Sequence, residues 1–206
     1  NRTFAKFGRV PCLEPSDSQE AKDMVSAAFE LSERFDTPVL LRLTTRICHS
    51  TSAVVLGERT VTATEPKPFP RNPSKYVMVP GNAVKRHPVI EQRMRDIATF
   101  AGTVPYNRLE PGGRLLGIIT CGVAYQYARE VFPEASILRL GMTWPLPEKM
   151  IRKFAKSVKR LIVVEELDPF IEEAVKLMGI AVEGKSIFPI TGEFDPRVVR
   201  ESAILS

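Results

Sequence analysis

The chain is poor in the residues on which metal and thiol chemistry depends, with three cysteines and two histidines among 206 residues. Cys12, Cys48 and Cys121 are odd in number and far apart, with no C-x-x-C pair, which argues against a disulfide framework, a zinc site or a cluster ligand set. All three are read as buried thiols. His49 and His87 have no plausible metal-ligand spacing, so no metal site is expected in this chain. Neither a G-x-G-x-x-G fingerprint nor a G-K-S/T phosphate loop occurs. No apolar run approaches the roughly 18 residues that a membrane span needs. Asn1 to Val10 lacks a signal-peptide core, and a cytoplasmic protein is expected.

What the chain does have is a hydrophobic content of 44%, enough for one good core or two small ones. The formal charge of +5 and pI near 9.2 favour acidic partners or phosphates but say nothing about fold. The first clear element is a helix capped by Ser16, with Gln19 at the reciprocal capping-box position. Ala21, Met24, Val25, Ala28, Leu31 and Phe35 share one of its faces. Thr37-Pro38 stops it, and Val39 to Thr44 reads as a buried strand.

From Glu58 to Gly113 the texture changes. Eight of the 17 prolines fall here, including the Pro66 to Pro70 stretch, and the segment reads as a linker. Val89, Ile90, Met94, Ile97, Ala98 and Ala101 predict one helix inside it, after His87-Pro88, with His87 itself a turn residue. Beyond Arg114 the alternation is regular. Strands are predicted at Leu115 to Thr120, Ser136 to Leu140 and Leu161 to Glu165, and helices at Val123 to Val131, Glu148 to Val158 and Phe170 to Met178. A last strand near Ser186 to Ile190 and a helix near Pro196 to Ala203 follow. Such alternation implies a parallel sheet with helices on both faces. Asp168 is expected to cap the Phe170 helix, Pro169 to open it and Gly179 to close it.

Four features could carry chemistry. Gly117 and Gly122 bracket the Thr120 to Val123 turn, where a nucleotide binder places its phosphate loop, but without the full glycine pattern this is a tight βα turn. Glu165 and Glu166 end a strand; successive side chains point to opposite faces, so a structural role at the sheet edge is preferred to acid–base work. Lys149, Arg152, Lys153, Lys156 and Arg160 form a basic stripe opposite Ile151, Phe154, Ala155 and Val158. Lacking base-reading residues, the stripe predicts a solvated face or an acidic partner rather than a nucleic-acid site. Arg46 and His49, with Cys48 between them, follow the first strand, where α/β proteins place ligands. They suit a carboxylate or phosphate and are the cofactor-binding candidates.

Four strings also resemble, in order, the large subunit of the indolepyruvate:ferredoxin oxidoreductases. They are Leu13-Glu14-Pro15-Ser16-Asp17-Ser18-Gln19-Glu20-Ala21; Phe35-Asp36-Thr37-Pro38-Val39-Leu40-Leu41-Arg42 with Thr44-Thr45-Arg46 and His49-Ser50; Leu140-Gly141-Met142-Thr143-Trp144-Pro145-Leu146-Pro147-Glu148-Lys149; and Val163-Val164-Glu165-Glu166-Leu167-Asp168-Pro169-Phe170-Ile171-Glu172. The resemblance implies an α/β protein: residues 1–57 as the carboxyl-terminal part of a thiamine-diphosphate pyrimidine-binding domain, 58–113 as a Pro-rich linker with one helix, and 114–206 as a transketolase carboxyl-terminal-like, Rossmann-type domain. It implies oxidative decarboxylation of indolepyruvate and other aryl pyruvates to aryl-acetyl-CoA, with ferredoxin as electron acceptor. The complete enzyme would use thiamine diphosphate, Mg2+ and 4Fe–4S clusters, and its partners would be the rest of the large subunit, a small (beta) subunit, ferredoxin and coenzyme A, with no nucleic acid and no membrane. The chain is expected to be an internal piece, inactive and binding no cofactor by itself, since it has no Gly-Asp-Gly loop and no cysteine series. No catalytic residue is therefore carried over. The alternatives are a non-catalytic assembly module, or a 2-oxoacid dehydrogenase or transketolase β-type chain.

Overall fold

The computed structural model describes residues 1–58 and 68–204; Pro66 and Lys67 of the Pro-rich stretch lie outside them. The carboxyl-terminal half is built on a four-stranded sheet of β3 (Asn107–Glu110), β4 (Gly113–Cys121), β5 (Ala135–Leu140) and β7 (Arg160–Val164), in the order β3-β5-β4-β7. β4 runs parallel to both β5 and β7, whereas β3 is antiparallel to β5. The sheet is thus mixed, where regular βα alternation predicts a wholly parallel one. The added edge strand comes from residues that read as linker, because a short polar Asn-Arg-Leu-Glu run gives no apolar period.

Alternate residues of the central strands enter opposite cores. Ile118, Ile137, Ile162 and Val164 pack with Tyr125, Tyr127 and Ala128 of α6 (Ala124–Val131) and Val199 of α9 (Pro196–Ile204). Ile119, Leu138, Leu140, Leu161 and Val163 pack with Ile151 and Phe154 of α7 (Glu148–Ala155) and Ile171 and Val175 of α8 (Phe170–Leu177). Burying each such side chain contributes about 1.5–3 kcal/mol, so the two-faced sandwich needs no further fastening. Gly117 has a specific reason: a Cβ there would lie 2.7 Å from the Val158 side chain and 3.1 Å from Phe154, so glycine lets α7 close on the sheet. Residues 186–190 form turns rather than the predicted strand; the segment reaches β7 through a single bridge, Glu183 to Ile162.

The amino-terminal half has a third core. Leu13 of β1 (Cys12–Leu13), Met24 and Leu31 of α2 (Ser18–Phe35), Met94 and Ile97 of α5 (Pro80–Phe100) and Met142 of β6 (Met142–Trp144) meet there. β1 pairs parallel with β2 (Leu40–Leu41) and antiparallel with β6, so β6 leaves the large sheet's segment to complete the small one. The α2 face is narrower than the pattern suggests, since Met24 and Leu31 are buried while Val25 is exposed. Its cap is Asp17, whose carboxylate accepts from the Glu20 N–H at 2.8 Å, not Ser16. Glu20 rather than Gln19 reaches back, to the Ser16 N–H at 3.0 Å. α5 begins before the predicted helix and carries Pro88 within it, which makes His87 an exposed mid-helix residue instead of a turn. A further short helix, α4 (Pro73–Tyr76), precedes it. No helix among the described residues is long and apolar enough to cross a membrane.

Candidate functional site

The carboxyl ends of β4 and β7, where open α/β sheets bind ligands, face the end of β1 across a buried charged node. Arg2, on α1 (Arg2–Gly8), donates from Nε and Nη2 to Glu14 at 2.6 and 3.1 Å, and from Nη1 to Glu165 at 3.0 Å. Arg42 and Thr143 donate to Glu14 at 2.7 Å each. Glu14 is 2% exposed and Glu165 1%. A carboxylate offers about four acceptor positions, and in Glu14 they are filled. Burial alone would raise the Glu14 carboxyl, but the Arg2 and Arg42 guanidiniums and the Thr143 hydroxyl overcome it and hold it below its ordinary value. Glu165 goes the other way: burial dominates and its carboxyl is raised, despite Arg2 and the backbone N–H groups of Glu172 and Ile171. The difference follows from Glu14 facing two guanidiniums and Glu165 one.

Glu165 is also what opens α8. Its carboxylate accepts from the N–H groups of Ile171 and Glu172 at 2.9 and 3.0 Å, the cap expected of Asp168. A negative charge at a helix N-terminus is favoured by the exposed N–H groups and the dipole. Glu166 turns away, accepting from the Phe194 N–H at 2.8 Å. The adjacent carboxylates therefore do not converge. Two thiols border the node: Arg2 Nη2 lies 3.0 Å from Cys121 Sγ, and burial pushes the Cys12 thiol up to about 11. Burial raises Cys121 as well, so both stay protonated and unreactive at neutral pH.

Arg46 and His49 stand elsewhere. β2 ends at Leu41, and Thr44 caps a short helix α3 (Thr45–His49) through its hydroxyl, so the pair sits on a helix rather than at a strand mouth. They border an open groove of about 480 Å³ shared with Ser16, Ser18, Val123 from the β4–α6 turn and Tyr127 from α6. The structure thus brings the Arg46 and His49 pair to the turn that Gly122, at φ +53°, makes possible. Arg46 has partners already: it lies 3.2 Å from Glu193 and over the Tyr127 ring at 5.9 Å. Cys48, read as buried, is exposed because α3 turns it to solvent. Glu165 was singled out as a structural carboxylate at the sheet edge, but its partners Arg2, Glu14 and Arg42 were not. The signal that marked Glu165 was a carboxylate directly after the apolar run Leu161 to Val164; nothing comparable marks Arg2 or Arg42.

A second buried pair joins the halves. Arg139 of β5 donates to the Glu20 carboxylate and, at 3.0 Å, to the Ser16 hydroxyl, with its guanidinium over the Tyr125 ring at 4.8 Å. Among the described residues no three His, Cys, Asp or Glu side chains converge as metal donors. The three cysteines are separate, one of them exposed. The separated cysteines give no iron–sulfur ligand set among the described residues, and Glu14, with its acceptor positions filled, acts there as a joint.

No family model matches the chain. Among curated proteins it is 38% identical over 212 residues to indolepyruvate oxidoreductase subunit IorA of Pyrococcus horikoshii, covering 95% of this chain and 33% of that protein. It is 36% identical to the subunit of the same name from Archaeoglobus fulgidus, over 90% of this chain and 30% of that one. The chain spans about a third of the length of these relatives. The resemblance stated from the four strings is thereby shown. Two solved structures share the fold: a 2-oxoglutarate:ferredoxin oxidoreductase from Magnetococcus marinus, with TM-score 0.65 and 17% identity over 95% of this chain and 42% of that one, and a split-gene transketolase described as an inactive beta4 tetramer, with TM-score 0.50 and 13% identity over 96% and 57%.

Proposed function

From its similarity to IorA subunits over nearly its whole length, we propose that this chain is the scaffold portion of a thiamine-diphosphate-dependent 2-oxoacid:ferredoxin oxidoreductase subunit. The reaction is the oxidative decarboxylation of indolepyruvate and related aryl pyruvates to aryl-acetyl-CoA, in the cytoplasm. In the whole enzyme thiamine diphosphate would supply the carbanion chemistry and iron–sulfur clusters the electron path to ferredoxin. The partners are the rest of the large subunit, a small subunit, ferredoxin and coenzyme A. Residues 1–57 belong to a pyrimidine-binding domain, 58–113 join it to the next, and 114–206 form a transketolase carboxyl-terminal-like domain. The observation that carries this is the ordered identity with IorA; the saturation of Glu14 by Arg2, Arg42 and Thr143 supports the scaffold role.

In this reading Arg46 and His49 face a cofactor-bearing segment of the assembly, and Arg46 exchanges Glu193 for an anionic group there. An exposed pair is worth only about 0–1 kcal/mol, so the exchange has little to overcome. The test is anaerobic reduction of ferredoxin by the subunit containing this chain together with its small subunit, given indolepyruvate and coenzyme A. Reduction that requires all three additions is expected; none with any aryl pyruvate refutes the activity. In the active enzyme, Arg46→Ala is expected to weaken thiamine diphosphate binding by about tenfold, the loss of one charge-assisted contact. Unchanged affinity removes Arg46 from the cofactor site and leaves the activity standing.

A further inference from the structure

The large sheet's α7–α8 face carries a charge pattern that neither the fold nor the proposed reaction uses. Lys149 and Lys153 are exposed on α7, Lys156 is its exposed C-cap, and Lys159 continues the row past the helix end. At 100° per residue Lys149, Lys153 and the right-handed C-cap Lys156 fall within one narrow arc, opposite buried Ile151 and Phe154. Two carboxylates beside the row are held by arginines: Glu148 by Arg152 and Glu183 by Arg160, each at 2.6 Å. Among the described residues none of the four lysines makes an ion pair, on a chain whose formal charge is +5.

Beside this row lies a cleft of about 410 Å³. Its lining mixes apolar Ala155, Val158 and Ile180 with cationic Arg152, Lys156 and Lys159. Arg152 fixes one wall, donating from Nη1 to the Met178 carbonyl at 2.8 Å and so tying α7 to the end of α8. A cation row for steering beside a preformed apolar recess for an anchor is the arrangement of a protein interface. A nucleic acid fits less well, because the face presents no aromatic or amide group to a base and keeps two carboxylates within it.

We propose that the α7–α8 face docks an acidic protein surface that inserts one aliphatic side chain into this cleft. The proposal goes beyond the oxidoreductase reading and does not depend on turnover. Its test is a titration of the whole chain against a fluorescein-labelled peptide with acidic residues flanking one leucine, across a range of ionic strengths. Saturable binding that weakens with salt is expected. K149E/K153E/K156E should raise the Kd by at least about tenfold, and exchanging the peptide's leucine for serine by about threefold where salt has screened the charges. Circular dichroism should show the triple variant folded, since its positions are exposed. Absent or non-saturable binding, or binding indifferent to the triple reversal, overturns the proposal. Indifference to the leucine reduces it to charge attraction without docking and overturns it equally. Displacement of the peptide by a lower concentration of a single-stranded oligonucleotide reassigns the face to nucleic acid.

Discussion

Arg2–Glu14 and Arg46–Glu193 are the same chemical pair in two settings. The first is buried, bidentate and shared with Arg42, Thr143 and Glu165; the second is a single 3.2 Å contact with side chains 43% and 60% exposed. What separates them is water. In the buried node each charge has lost its hydration, so removing one partner leaves another stranded; at the groove, solvent takes over whatever is removed. The buried node, through Arg2 to Glu165, therefore holds the two halves in one arrangement, while the exposed pair is free to exchange partners. The same contrast separates the two sheets. The large one is held by apolar sandwich packing, whereas the small one, with two-residue strands β1 and β2, leans on charges at its seam.

The strongest way to break the comparison is Glu14→Ala. It strands Arg2 and Arg42, and is expected to lower the unfolding free energy by about 3–5 kcal/mol in urea titrations. A loss within about 1 kcal/mol would put the buried pair in the class of the exposed one. Next comes Gly117→Ala, which tests the apolar region instead of the seam. Its Cβ meets Val158 and Phe154, and overpacking should cost about 1–3 kcal/mol; an unchanged midpoint would mean that α7 can move off the sheet without penalty.

Acid titration sharpens the contrast further. Glu14 has a lowered folded-state value, so its ionised form favours the folded chain. That contribution is complete above the ordinary carboxylate range and is lost as the pH falls through the lowered value. Glu165, raised by burial, acts in the opposite sense and regains stability as it takes up its proton. Wild type should therefore be more stable than Glu14→Gln at neutral pH, with the gap closing in acid; a gap independent of pH would deny that Glu14 is held as a carboxylate. The smallest effect is expected for Arg46→Met, at most about 1 kcal/mol by thermal unfolding. A larger loss would make the groove pair structural and weaken its assignment to a cofactor.

Much of the large sheet was legible because its strands and helices alternate with unmistakable periods. The predicted Ser136 to Leu140 strand and Glu148 to Val158 helix fall on β5 and α7 with end shifts of a few residues. The cap of α8 was not legible, because Pro169 rather than Asp168 stands at the cap position, one residue later than expected, and Glu165 from the end of the preceding strand reaches the N–H groups. Arg46 and His49 were named as a pair because they are three residues apart in one short segment. Arg2 and Glu165 were not, since 163 positions separate them and nothing local to either shows the other.

Local pattern by itself determined that this is an α/β chain, that helices cover both faces of its larger sheet, and that a strand turns into α6 without a phosphate loop. Those features depend on periodicity and on glycine's tolerance of positive φ, which act over a few residues. Tertiary structure alone decided that Met142 to Trp144 would cross to the small sheet, that Asn107 to Glu110 would add an antiparallel edge, and that Arg2, Arg42 and Thr143 would saturate Glu14. Each of these brings together backbone or charge from distant segments, and their energies exist only after the chain has closed and expelled the water between them.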